Sequence, residues 1–106
     1  MKTGNLFQHI PAHLPDEISQ RLAGGSACRI ERIVSKGHAS PPGFWYEQQQ
    51  NEWVLLAKGA ARLRFESENR LIDLAQGMYL DIPAGMRHRV EWTCSESETI
   101  WLAVFY

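Results

Sequence analysis

The chain has 106 residues, with Lys+Arg 11 against Asp+Glu 12 and a formal net charge of -1. That length holds one domain and excludes a second catalytic domain or a doubly wound nucleotide-binding fold of ordinary size. Hydrophobic residues at 44% and charged residues at 22% exclude a disordered chain. The near-neutral balance offers no electrostatic footprint for nucleic acid or an anionic membrane surface. No apolar run approaches the roughly 20 residues that cross a bilayer. The opening Met1-Lys2-Thr3-Gly4-Asn5-Leu6 lacks the apolar stretch of a secretory signal, so the cytoplasm is the expected compartment. Cys28 and Cys94 lie far apart and form no CxxC pair. They read as small buried or half-buried side chains and not as a disulfide framework.

Residues 1–25 read as a lead-in. Leu14, Ile18 and Leu22 are four apart, Pro15, Asp16 and Glu17 occupy a first turn, and Gly24-Gly25 follow as a stop. The spacing predicts a short amphipathic helix over residues 15–23. Beyond Gly25 the period drops to two, and residues 26–106 read as one all-β unit. Strands are expected at 27–34, 53–57, 61–65, 70–74, 78–82, 88–92 and 99–106, separated by Gly, Pro and short polar turns. Trp53-Val54-Leu55-Leu56-Ala57 is continuously apolar and is expected to be buried on both faces. Ala61-Arg62-Leu63-Arg64-Phe65 sets apolar residues on one face and arginines on the other. Such a series argues for an antiparallel sandwich or small barrel.

Gly77, five residues, Pro83-Ala84-Gly85, two residues and His88 form the most specific pattern in the chain. Gly77 permits a tight turn into a strand, Pro83 ends that strand, and Gly85 supplies a turn conformation few other residues tolerate. His88 then opens the returning strand with its side chain toward the interior. This pattern resembles the second motif of the cupin superfamily, except that Trp92 stands where that motif ends in Asn. The end of the family's first motif is also present, as Glu52, six residues and Gly59. Its two histidines are not. Counting back from Glu52, they would fall on Trp45 and Glu47 in one register, or on Tyr46 and Gln48 in the other.

The resemblance implies a cupin jelly-roll β-barrel of six to eight antiparallel strands, with the short helix ahead of it and a ligand-binding bowl inside. It also implies a divalent metal, which the family holds on three His and one Glu. Alternate residues of a strand face one side. With Trp45 and Glu47 as the inward pair, the surviving ligands would be Glu47, Glu52 and His88. Two carboxylates and an imidazole suit Mn, Fe(II), Zn or Mg. No organic cofactor is implied. Trp45, Tyr46 and His38 are expected near the bowl, with His38 a replacement ligand from the loop before Pro41. His9 and His13 belong to the lead-in, and Arg62, Arg64, Arg87 and Arg89 are expected on the outer face. The implied partners are a small molecule and, as in cupins of this size, a second copy of the chain, which would also shield an edge strand. The function so implied is small-molecule binding, with two versions: a metal-assisted oxygenase, isomerase or lyase, and a non-catalytic binding module.

Overall fold

Alternation decides which face each strand buries. In Ala60–Phe65, Ala61, Leu63 and Phe65 are buried while Arg62 is exposed. The computed structural model describes all residues, 1–106. It contains eight strands: β1 (Ile18–Gly24), β2 (Arg29–Ser35), β3 (Glu52–Lys58), β4 (Ala60–Phe65), β5 (Arg70–Ala75), β6 (Tyr79–Ile82), β7 (His88–Thr93) and β8 (Thr99–Phe105). A five-stranded sheet in the order β1-β2-β8-β3-β6 faces a three-stranded sheet in the order β5-β4-β7. All neighbours pair antiparallel. The two sheets pack as layers and do not join into a closed barrel.

The expected helix over residues 15–23 does not form. Ile18–Gly24 is a strand instead, paired with β2 from Ile18 opposite Val34 to Gly24 opposite Arg29. A nine-residue helix is marginal by itself in water, whereas the same residues as a strand satisfy the open hydrogen-bonding edge of β2. Gly24-Gly25 therefore does not stop a helix but starts a hairpin turn, where the Gly25 amide donates to the Cys28 carbonyl at 2.7 Å. Gly24 has φ 139°, and a Cβ there would lie 2.3 Å from the Cys28 carbonyl oxygen, so no other residue fits. Cys28 is exposed in this turn, contrary to the expected burial, while Cys94 is half-buried.

Val54, Leu56, Trp101, Ala103 and Phe105 of the larger sheet meet Ala61, Leu63, Phe65 and Leu74 of the smaller one to form the core. On β3 the expectation of two buried faces holds for one face alone. Val54 and Leu56 are sealed, but Trp53, Leu55 and Ala57 are half-covered.

Two irregular segments complete the unit. Residues 40–46 run along the edge of β7, where Ser40 N donates to Val90 O at 2.9 Å. Tyr46 N donates to His88 O at 2.7 Å, and His88 N donates back to Tyr46 O at 3.1 Å. The N-terminal segment is anchored by Arg32, which is 5% exposed. Its guanidinium donates to the carbonyls of Leu6 and Gln8 and to the Gln20 side chain.

Candidate functional site

The paired amides of Tyr46 and His88 fix the register of the segment entering β3, and with it which side chains point inward. Alternation from Tyr46 sends Tyr46 and Gln48 into the space between the sheets and turns Trp45 and Glu47 out. A cavity of about 630 Å³ opens there, floored by Val54, Leu63, Val90 and Trp101 and carrying Tyr46, Gln48, Glu52 and His88 on its wall.

Glu52 and His88, both expected in the site, do meet. His88 Nε2 lies 3.3 Å from Glu52 Oε1, with side-chain exposures of 7% and 12%. The other ring nitrogen, Nδ1, donates to the Met86 carbonyl at 2.9 Å, so both nitrogens face acceptors. Burial alone would push the imidazole down. The hydrogen bond to Glu52, the Met86 carbonyl and the Glu52 charge outweigh it and hold His88 above its ordinary 6.5. Its ring lies between those of Tyr46 and Phe65, at centroid distances of 5.5 and 5.8 Å. The Pro83-Ala84-Gly85 turn sets this placement. Gly85 has φ 80°, and its amide donates to the Gln48 carbonyl at 2.8 Å, tying the two halves of the site together.

Glu47 does not join the pair. Its side chain is 63% exposed and faces Arg87 Nε at 3.6 Å. Trp45 also lies outside the cavity, with the Arg87 guanidinium 5.6 Å from its ring centroid. The three expected metal ligands therefore do not converge, because the extended segment presents the other alternation to the bowl. His38 does not line the cavity either. Its Nδ1 accepts from the Lys36 amide at 2.9 Å, and Nε2 lies 3.1 Å from the Pro15 carbonyl, so it fastens the lead-in to the end of β2. Of the arginines, Arg62 is outward as expected, whereas Arg89 is held at the loop by the Ser40 carbonyl at 2.9 Å.

The residues present do not fit the metal that the fold family implies. Tyr46 and Gln48 stand where the two histidines would. Gln48 Nε2 donates to Glu52 Oε1 at 3.2 Å, and the same oxygen faces His88 Nε2, so these groups satisfy one another. Burial, then the charges of Glu17 and Glu52, raise the Tyr46 phenol above its ordinary 10.0, which keeps it protonated and a poor ligand. No group of three or more His, Cys, Asp or Glu is placed to hold an ion.

Sequence reasoning missed the mouth of the cavity, which carries Glu17, Arg29, Glu31 and Gln50. Arg29, Glu31 and Ile33 alternate on β2, which was the available signal. Arg29 Nε meets Glu31 Oε2 at 2.5 Å, and its Nη1 donates to Gln50 Oε1 at 3.0 Å. Its guanidinium lies 4.0 Å from the Phe105 ring centroid. Burial raises the Glu31 carboxyl, but bonds from Ser19 and Arg29 and the charges of Arg29 and Arg21 reverse this and hold it below its ordinary 4.5.

The architecture has solved relatives. A protein from Ralstonia eutropha JMP134, described as a candidate mannose-6-phosphate isomerase, is 46% identical over 99% of this chain and 97% of its own, with a TM-score of 0.95. A cupin superfamily protein from Desulfitobacterium hafniense DCB-2 is 21% identical over 91% of this chain and 82% of its own, with a TM-score of 0.74. An RmlC-like cupin from Shewanella frigidimarina NCIMB 400 is 16% identical over 84% and 74%, with a TM-score of 0.68. The chain has the fold of the cupin superfamily. No family model and no curated protein matches it. Tyr46 and Gln48 are the pair separated from Glu52 by three residues, and they share the cavity wall with Glu52 and His88.

Proposed function

We propose that this cupin binds a small polar molecule in its bowl and does so without a resident metal. One observation carries the reading: a cavity large enough for a small metabolite, about 630 Å³, is walled by Glu52, His88, Tyr46 and Gln48, whose metal-binding capacity is spent on mutual hydrogen bonds. His88 has no ring nitrogen left for a ligand. It orients Glu52, whose Oε2 accepts no hydrogen bond and is the atom free to meet one. The test is ligand screening by the Trp101 indole N–H resonance in NMR, since that indole lines the cavity. Wild-type protein should respond to small polar compounds and Val90→Trp, which fills the bowl, should not. Equal responses would place binding elsewhere.

A second reading is a proton-transfer enzyme of the isomerase type. It is favoured by the description of the Ralstonia relative together with the buried carboxylate–imidazole pair. Glu52 Oε2 would take a proton from one carbon and return it to the adjacent carbon, and the protonated Tyr46 hydroxyl would support the oxyanion that develops in between. Interconversion of mannose 6-phosphate and fructose 6-phosphate, lost in Glu52→Gln, would establish it. Binding without turnover would leave the module reading standing. The proposed assembly is a homodimer, to which Tyr79, 62% exposed and stacked on Trp53 at 5.5 Å, offers apolar surface. Sedimentation equilibrium should return twice the chain mass, and a monomer at micromolar concentration would reject it.

A further inference from the structure

The free hydrogen-bonding capacity of the bowl is strongly one-sided. Three carboxylates line it, from Glu17, Glu31 and Glu52, against one guanidinium, from Arg29, besides His88. Arg29 gives Nε to Glu31 and Nη1 to Gln50, which leaves Nη2 as its one unbonded nitrogen, and both nitrogens of His88 are committed to Glu52 and Met86. The acceptors are not used up. Glu17 receives the Ser35 hydroxyl on Oε2 at 2.8 Å, which leaves Oε1 open. Glu52 is 9% exposed and takes both of its bonds on Oε1, which leaves Oε2 open toward the cavity. The Tyr46 hydroxyl has no hydrogen-bond partner and feels the charges of both Glu17 and Glu52, so the three groups share one neighbourhood. Tyr46 and Trp101 also line the bowl, and an aromatic ring attracts a cation.

We infer that the bowl selects a small organic cation, an amine or amidine whose N–H groups reach Glu52 Oε2 and Glu17 Oε1, and that it disfavours phosphorylated ligands. The inference rests on the bowl being the ligand site. A phosphate would enter a field of three carboxylates and find a single open cationic donor, Arg29 Nη2, to replace its water. An ammonium group exchanges its water for charged acceptors that are otherwise unfilled.

A matched set of fragments tests this: n-butylammonium, n-butanol and n-butyl phosphate, titrated into the full chain at constant ionic strength. The Trp101 indole N–H resonance is followed by NMR. Butylammonium should shift it at the lowest concentration and bind at least about tenfold more tightly than butyl phosphate, with butanol between them. Glu17→Gln, at an exposed position, and Glu52→Gln should each reduce the ammonium preference several-fold. Butyl phosphate binding as tightly as butylammonium, or an ammonium preference unchanged in both variants, would overturn the charge selection while leaving the bowl as the site. Failure of all three fragments to move the Trp101 resonance would overturn the bowl reading itself.

Discussion

At the residue scale, the contact that defines this site is His88 Nε2 to Glu52 Oε1. It makes stability depend on pH with a definite sign. In the folded protein the His88 pKa lies above its ordinary 6.5. The pair's contribution to stability is therefore fully present below the unfolded value and is lost as pH rises through the folded one. Stability measured in urea should fall as pH rises from about 6.5 through the folded value above it. In Glu52→Gln the carboxylate no longer offsets burial, the imidazole is pushed down, and the contribution changes sign, so that stability rises with pH up to the unfolded 6.5 and levels off above it. At pH 6 the variant should be less stable than the wild type by about 1.5–3 kcal/mol, the range for a hydrogen bond to a charged group. Parallel slopes in the two proteins would mean that Glu52 does not govern His88. Two of the residues involved were readable beforehand, because Gly77, Pro83, Gly85 and His88 keep a fixed spacing and Glu52 stands six residues before Gly59. Tyr46 and Gln48 were one of two registers that spacing alone leaves equal. Only the amide pairing of Tyr46 with His88 separates the registers, and that is a contact between segments about forty residues apart.

At the scale of elements, the seven strands after Gly25 were legible because their residues alternate and each run is bounded by Gly, Pro or polar turns. The strand before it was not. Leu14, Ile18 and Leu22 fit a helical stripe, and β1 buries little on either face to betray a period of two. What holds β1 is the ladder to β2 and the turn at Gly24, neither of which leaves a pattern in hydrophobicity. Gly24→Ala should therefore destabilise the chain more than a surface substitution does, by about 1–3 kcal/mol, since it adds both φ strain and a clash with the Cys28 carbonyl. The urea midpoint should fall with an unchanged slope. An unaltered midpoint would show that the hairpin does not need this conformation. Arg32→Ala should act differently, because Arg32 ties residues 6 and 8 to β2 and Gln20. Hydrogen exchange should accelerate in residues 5–8 and in β1 while the β3 and β8 amides stay protected. Uniform acceleration across both sheets would make Arg32 a core residue and not a tether.

At the scale of the whole molecule, two packed sheets enclose the bowl and the core. Ten buried residues from both sheets form one continuous apolar cluster, and burying a large aliphatic or aromatic side chain contributes about 1.5–3 kcal/mol. The polar wall closes on itself through Gln48, Glu52, His88 and the Met86 carbonyl. Nothing in this arrangement depends on a divalent cation to offset repulsion or to align side chains. A metal bound to the folded state alone would add about 2.7 kcal/mol at a hundredfold excess over its Kd. For a domain of this size each kcal/mol moves Tm by about 4–8 °C. Such a shift could not be overlooked. Protein purified without a histidine tag should carry well under one equivalent of Mn, Fe, Zn or Mg by elemental analysis. Its Tm should change by less than about 1 °C with EDTA or with any of these ions at 0.1 mM, roughly the experimental scatter against the shift just derived. His88→Ala should lower Tm equally with and without EDTA, because its cost arises from stranding the buried Glu52 carboxylate. The opposite pattern would be a stoichiometric ion, a drop of several degrees on chelation, and no chelator effect in His88→Ala. That result would require Glu52 and His88 to part and turn toward a shared ligand, and the bowl would then be a metal centre after all.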